Sequence, residues 1–140
     1  MRATTGPNAP SAPRILLYSD DRTVRDQIRF DVGPRLTAEG QPIEWHEVAT
    51  PAAVIDAASS QRWDLIILDG EAAKAGGMGI ARQLKNEVKN CPPCLVLISR
   101  KQDAWLASWS LADATVVHPL NPIEVRETVS RLLGGQPGED

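Results

Sequence analysis

Five short apolar runs, separated by stretches of helical pattern, leave this chain few ways to fold. The segments 14–19, 43–49, 64–69, 94–99 and 114–118 read as strands. Four of them contain the near-continuous apolar runs ILLY, LIIL, CLVLI and ATVV, the pattern of parallel strands covered on both faces. The segment 43–49 alternates instead, which places it at a sheet edge. Helical patterns fill the gaps at 23–36, after Thr50-Pro51, and at 77–88, 103–112 and 122–133. Thr50 and Asn121 are N-cap residues, each followed by a proline at the first helical position. Glu124 stands three residues after Asn121, the spacing of a capping box, and Gly134 stops the last helix. Strand and helix alternate five times, which predicts an α/β protein: a doubly wound five-stranded parallel sheet with helices on both faces.

The 140 residues suit one domain. Residues 14–133 are its expected folded part. Residues 1–13, with three prolines, read as a flexible N-terminal arm, and 134–140 (GGQPGED) as a short C-terminal tail. A net charge of −3 argues against a nucleic-acid partner, which would need a basic stripe. No apolar run approaches the roughly 20 residues that span a bilayer, and the start lacks the apolar stretch of a secretory signal. The expected location is the cytoplasm.

Where a parallel sheet is doubly wound, ligands sit beyond the carboxyl ends of the strands. Those ends are polar here. The first carries Ser19-Asp20-Asp21, the third Asp69, the fourth Ser99 and the fifth His118-Pro119. Taken singly, each is an ordinary turn former. Together they offer carboxylates from two strands, a donor set for a hard cation such as Mg²⁺. The loop after the first strand is acidic and has no glycine, which rules out a phosphate-cradling nucleotide site. No G-x-S-x-G elbow is present, so no hydrolase centre is expected.

Over residues 14–133 the sequence resembles the receiver domain of bacterial two-component response regulators. The run DLIILDG is similar to the family's third strand ending in its phosphoacceptor aspartate, here Asp69. Gly77 lies eight residues on, where the family begins its third helix, and Ser99 lies 30 residues on, where receivers place Ser or Thr. His118-Pro119 falls where the family has a Lys-Pro bond that is typically cis. The resemblance implies a flavodoxin-like (βα)5 fold with strand order 2-1-3-4-5. It also implies self-phosphorylation of Asp69 with Mg²⁺ held by Asp20, Asp69 and the backbone carbonyl of Glu71, Asp21 being a further candidate. Ser99 and His118 would contact the phosphoryl group and take part in the switch. A histidine kinase or phosphotransfer protein would stand upstream, and a downstream protein or a second copy of the chain would receive the signal. No separate enzymatic activity is expected.

The sequence departs from that pattern at four places. Aligning Val24-Arg25 with the family's first helix puts Ser19 and Asp20 on its paired acidic positions, so one carboxylate is missing. His118 replaces a permanently charged lysine. Ala72-Ala73 replace Met-Pro after the acceptor, and Thr115 stands where many receivers carry a switch aromatic. Losing an acid and the lysine together is also the pattern of receivers that act as phosphorylation-independent interaction modules.

Other features have local readings. Trp105 and Trp109 lie one turn apart and share a helix face, either as core packing or as an interaction surface. Trp45 and Trp63 read as filling the core edge, and His46 as a surface strand residue. Arg100-Lys101 read as solvated. Cys91 and Cys94 form Cys-Pro-Pro-Cys, a spacing shared by redox pairs and half zinc sites. Because the motif leads into a strand and not a helix, a loop with reduced thiols is the expected reading.

Overall fold

The computed structural model describes residues 12–70, 77–99 and 111–134. Five strands, β1 (Arg14–Tyr18), β2 (Glu44–Val48), β3 (Leu65–Asp69), β4 (Cys94–Ile98) and β5 (Ala114–Val117), form one parallel sheet of order β2-β1-β3-β4-β5. Four helices are described: α1 (Arg22–Val32), α2 (Pro51–Ser60), α3 (Gly77–Glu87) and α4 (Pro122–Leu133).

Period-2 geometry sorts the strand residues onto two faces. Leu16, Tyr18, Ile66, Leu68, Val96 and Ile98 pack with Val54 and Ala57 of α2 and with Ile80 and Leu84 of α3. Ile15, Leu17, Leu65, Ile67, Leu95 and Leu97 pack with Ile28 and Val32 of α1 and with Val125 and Val129 of α4. Every residue of β3 and β4 is buried, because both strands have a neighbour on each side and helices on both faces. Alternating β2 is an edge strand, as its pattern predicts. β5 is the other edge, and only Val116 in it is buried. An apolar run reports coverage of faces and not the number of neighbouring strands, so ATVV gave no sign of its edge position.

The caps act as read. Thr50 Oγ1 accepts from Ala53 N, and Asn121 Oδ1 accepts from both Ile123 N and Glu124 N. The first helix is shorter than the expected 23–36. It ends at Val32 because Gly33 takes φ 84° and donates its N–H to Arg29 O, and Pro34 follows. The Arg126 guanidinium of α4 then donates to the carbonyls of Val32, Arg35 and Leu36, fixing that exit on the neighbouring helix. Most of the expected helix 103–112 lies outside the described residues; Leu111, at φ 67°, is in a turn, and Ala112 is not helical. Residues 1–11 and 135–140, most of the two expected tails, also lie outside. Among the described residues no helix is long and apolar enough to cross a membrane.

Candidate functional site at the carboxyl rim of the sheet

Ser19, Ser99 and His118 stand just past the last ladder positions of their strands, while Asp69 is itself the last residue of β3, paired with Leu97. Backbone bonds tie them to one edge. Ser19 N donates to Val48 O at 3.3 Å, Gly70 N to Leu97 O at 2.8 Å, and His118 N to Ile98 O at 2.8 Å. At its centre is a buried pair: Ser19, fully buried, donates its hydroxyl to Asp69 Oδ2 at 2.7 Å. Ser19 Oγ accepts in turn from Asp21 N at 3.0 Å. Asp69 is 3% exposed, whereas Asp20 is exposed at the mouth. Beneath them the Tyr18 phenol is held above its ordinary range, first by burial and then by the negative charge of Asp20 and Asp69.

Gly70 continues β3 directly from Asp69. A Cβ there would meet Leu97 O at 2.5 Å, so only glycine lets the chain pass this close to β4.

A second cluster braces the rim. Arg25, 16% exposed in its side chain, donates Nη1 to Ser19 O at 2.7 Å and Nε to Glu47 Oε1 at 2.9 Å. Arg29 Nη1 donates to the other oxygen of Glu47 at 2.7 Å. The Glu47 carboxyl is held below its ordinary range, chiefly by the Arg29 hydrogen bond. Burial opposes that shift and Arg25 adds to it. A lowered folded value means the cluster contributes stability above the unfolded value of about 4.5 and loses it as pH falls through the folded one. Accordingly, Glu47→Gln should melt below the wild type at neutral pH, and the gap should close on acidification towards pH 3. Parallel melting curves across that range would contradict this. Sequence reading passed over Glu47, because only the register Tyr18↔Val48 brings an alternating edge strand to α1.

The predicted site residues divide into three groups. Ser19 and Asp69 meet, exposed Asp20 follows Ser19, and Ser99 and His118 follow the paired Ile98 and Val117. The His118–Pro119 peptide is cis, as the Lys-Pro resemblance implies. Asp21 has a structural use: its Oδ1 accepts from Thr23 N at 2.9 Å and caps α1. Glu71, Ala72, Ala73, Arg100, Lys101, Trp105 and Trp109 lie outside the described residues.

Among the described residues no group of three or more His, Cys, Asp or Glu is placed to hold a metal ion. The donor set is nonetheless one that Mg²⁺ accepts. Asp20 and Asp69 are hard oxygen donors, and Mg²⁺ is commonly held by one or two carboxylates plus waters. At the third acidic position Ser19 offers a hydroxyl whose proton is committed to Asp69.

No protein-family model matches the chain. A parallel sheet of this order is that of flavodoxin-like folds, and comparison with known proteins narrows the class. The chain is 48% identical over 127 residues to an uncharacterized response regulatory protein of Mycobacterium tuberculosis, spanning 91% of this chain and 96% of that one. Its fold is similar to that of the chemotaxis response regulator CheY4 of Vibrio cholerae (TM-score 0.72, 20% identity, 88% of this chain and 100% of that chain). It is also similar to the signal receiver domain of an HD domain-containing protein of Pseudomonas fluorescens Pf-5 (TM-score 0.76, 13% identity, 93% of each chain). The chain belongs to the response regulator family, as a receiver domain of two-component systems.

Proposed function

We propose that the chain acts as a receiver in a phosphorelay, with Asp69 as phosphoacceptor, working through protein–protein contacts in the cytoplasm. The observation that carries this reading is the buried Ser19–Asp69 pair at the rim, beside Asp20. Asp69 is shielded enough to be a directed nucleophile and is held in one orientation by the Ser19 hydroxyl. Mg²⁺ held by Asp20, Asp69 and the Glu71 carbonyl would neutralise charge on the transferring phosphoryl group. Ser99 and His118, on the adjoining strand ends, would contact its oxygens. His118 places an imidazole where the resemblance implies a lysine. A histidine kinase or phosphotransfer protein would deliver the phosphoryl group. A downstream protein, or a second copy of the chain, would read the resulting state. No catalytic activity beyond self-phosphorylation and its reversal is assigned.

Incubation with acetyl phosphate and Mg²⁺, followed by intact-mass measurement, tests this directly. Wild type should gain one phosphoryl group, and Asp69→Asn should gain none. A folded wild type without an adduct would refute Asp69 as acceptor. It would favour the phosphorylation-independent interaction module, for which the hydroxyl at Ser19 is the supporting observation.

A further inference from the structure

The hydrogen bond that orients Asp69 starts from Ser19, and the Ser19 backbone is itself held by α1. Arg25, one turn into that helix, donates Nη1 to Ser19 O at 2.7 Å. Its side chain is largely buried, so little water competes for the carbonyl. A peptide group is planar, so a bond to Ser19 O also fixes the direction of the Asp20 N–H and the start of the acidic loop. The Ser19 hydroxyl is fixed from two sides. Its Oγ accepts from Asp21 N at 3.0 Å and donates to Asp69 Oδ2 at 2.7 Å.

Arg25 is aimed by the edge strand. Its Nε donates to Glu47 Oε1 at 2.9 Å, and Arg29 Nη1 donates to Oε2 at 2.7 Å. Two arginines four residues apart on a helix repel each other. One carboxylate between them offsets that repulsion and holds both planes. The Arg29 guanidinium also lies over Trp45 of the same strand, 5.6 Å from the ring centre. Because a guanidinium is a rigid fork, fixing Nε on Glu47 sets the direction in which Nη1 meets Ser19 O. A continuous path therefore runs from Glu47, on an edge of the sheet, through Arg25 and Ser19 to the buried carboxylate of Asp69.

We propose that Arg25 is a positioning residue for phosphoryl transfer to Asp69. Held by Glu47, it fixes the Ser19 backbone, and the Ser19 hydroxyl in turn fixes the plane of the Asp69 carboxylate. This inference rests on Asp69 being the phosphoacceptor. In the step concerned, a carboxylate oxygen of Asp69 bonds to phosphorus of acetyl phosphate while the bond from phosphorus to the acetyl oxygen breaks. Acetate leaves with that electron pair. Arg25 acts on the aim of the nucleophile and not on the donor, and a carboxylate turned away from the line of attack loses rate steeply.

The test pairs the rate of labelling by acetyl phosphate at saturating Mg²⁺ with amide hydrogen exchange on the unlabelled full chain. Arg25→Met should label Asp69 about tenfold more slowly than the wild type, the loss expected for one charge-assisted hydrogen bond. Its Asp21 amide should exchange about tenfold faster, beyond any change in the β3 and β4 amides, which report global opening. An arginine with only a structural role would loosen both sets together. Ser19→Ala should label about as slowly as Arg25→Met, and the double variant no more than about twofold more slowly than either. Glu47→Gln should lose about threefold, and it decides if Arg25→Met does not fold. A wild-type rate in the folded variant, or losses that multiply in the double variant, would overturn this proposal and leave Asp69 as acceptor. A wild type that takes no label would overturn the proposed function, and this inference with it.

Discussion

Ser19→Asp should bind Mg²⁺ about ten to a hundred times more tightly than the wild type. In metal-free buffer it should be less stable by about 2–4 kcal/mol. Ser19 is fully buried and its Oγ lies 2.7 Å from Asp69 Oδ2, donating a hydrogen bond. A carboxylate there replaces a donor with a second negative charge. In the absence of metal, two anions in a place without water repel each other. With Mg²⁺ present, the same oxygens become ligands, and an opposite charge about 4 Å away is worth several kcal/mol at an effective dielectric of about 20. Calorimetric titration with Mg²⁺, paired with melting curves with and without the ion, reads both effects. Equal Mg²⁺ affinity in the two proteins would show that position 19 does not face the cation.

Gly70→Ala should lower stability by about 2–4 kcal/mol and sharply reduce any phosphoryl adduct on Asp69. The new methyl would fall 2.5 Å from Leu97 O, and that oxygen already accepts the Gly70 N–H at 2.8 Å. Backbone blocks it on the near side, so no rotamer change gives relief. The end of β3 must pull away from β4 and carry Asp69 with it. A melting temperature within a degree or so of wild type, together with normal labelling, would mean that the rim is more compliant than its backbone spacing indicates.

Much of the sheet is legible in the residues because burial on two faces leaves a direct trace. LIIL and CLVLI cannot be half-exposed, and EWHEV cannot be central. The caps are equally local: Thr50 and Asn121 bond within three residues. The end of α1 was misplaced although its signals were present. Leu36 extends the apolar rhythm past Gly33-Pro34, and a positive φ at Gly33 overrides rhythm. In the site, Asp69 and Ser19 stand out because they end apolar runs, and Asp20 follows from its neighbour. The Arg25–Glu47–Arg29 brace does not stand out. It joins side chains from elements whose adjacency is decided by crossover order, which no local pattern encodes.

Strand order has a further consequence during synthesis. The first strand's inner neighbour is the third, and Ser19 and Asp69, at their ends, are separated by 50 residues. At translation rates of about 5–20 residues per second, the ILLY run waits several seconds for LIIL to exist. It spends that interval with one flank open, and β2 is too polar to shelter it. A newborn chain of this topology is therefore most exposed to sticking and to chaperone capture before its midpoint is made. Slow codons between β1 and β3 would lengthen that interval, and slow codons after β4 would leave it unchanged.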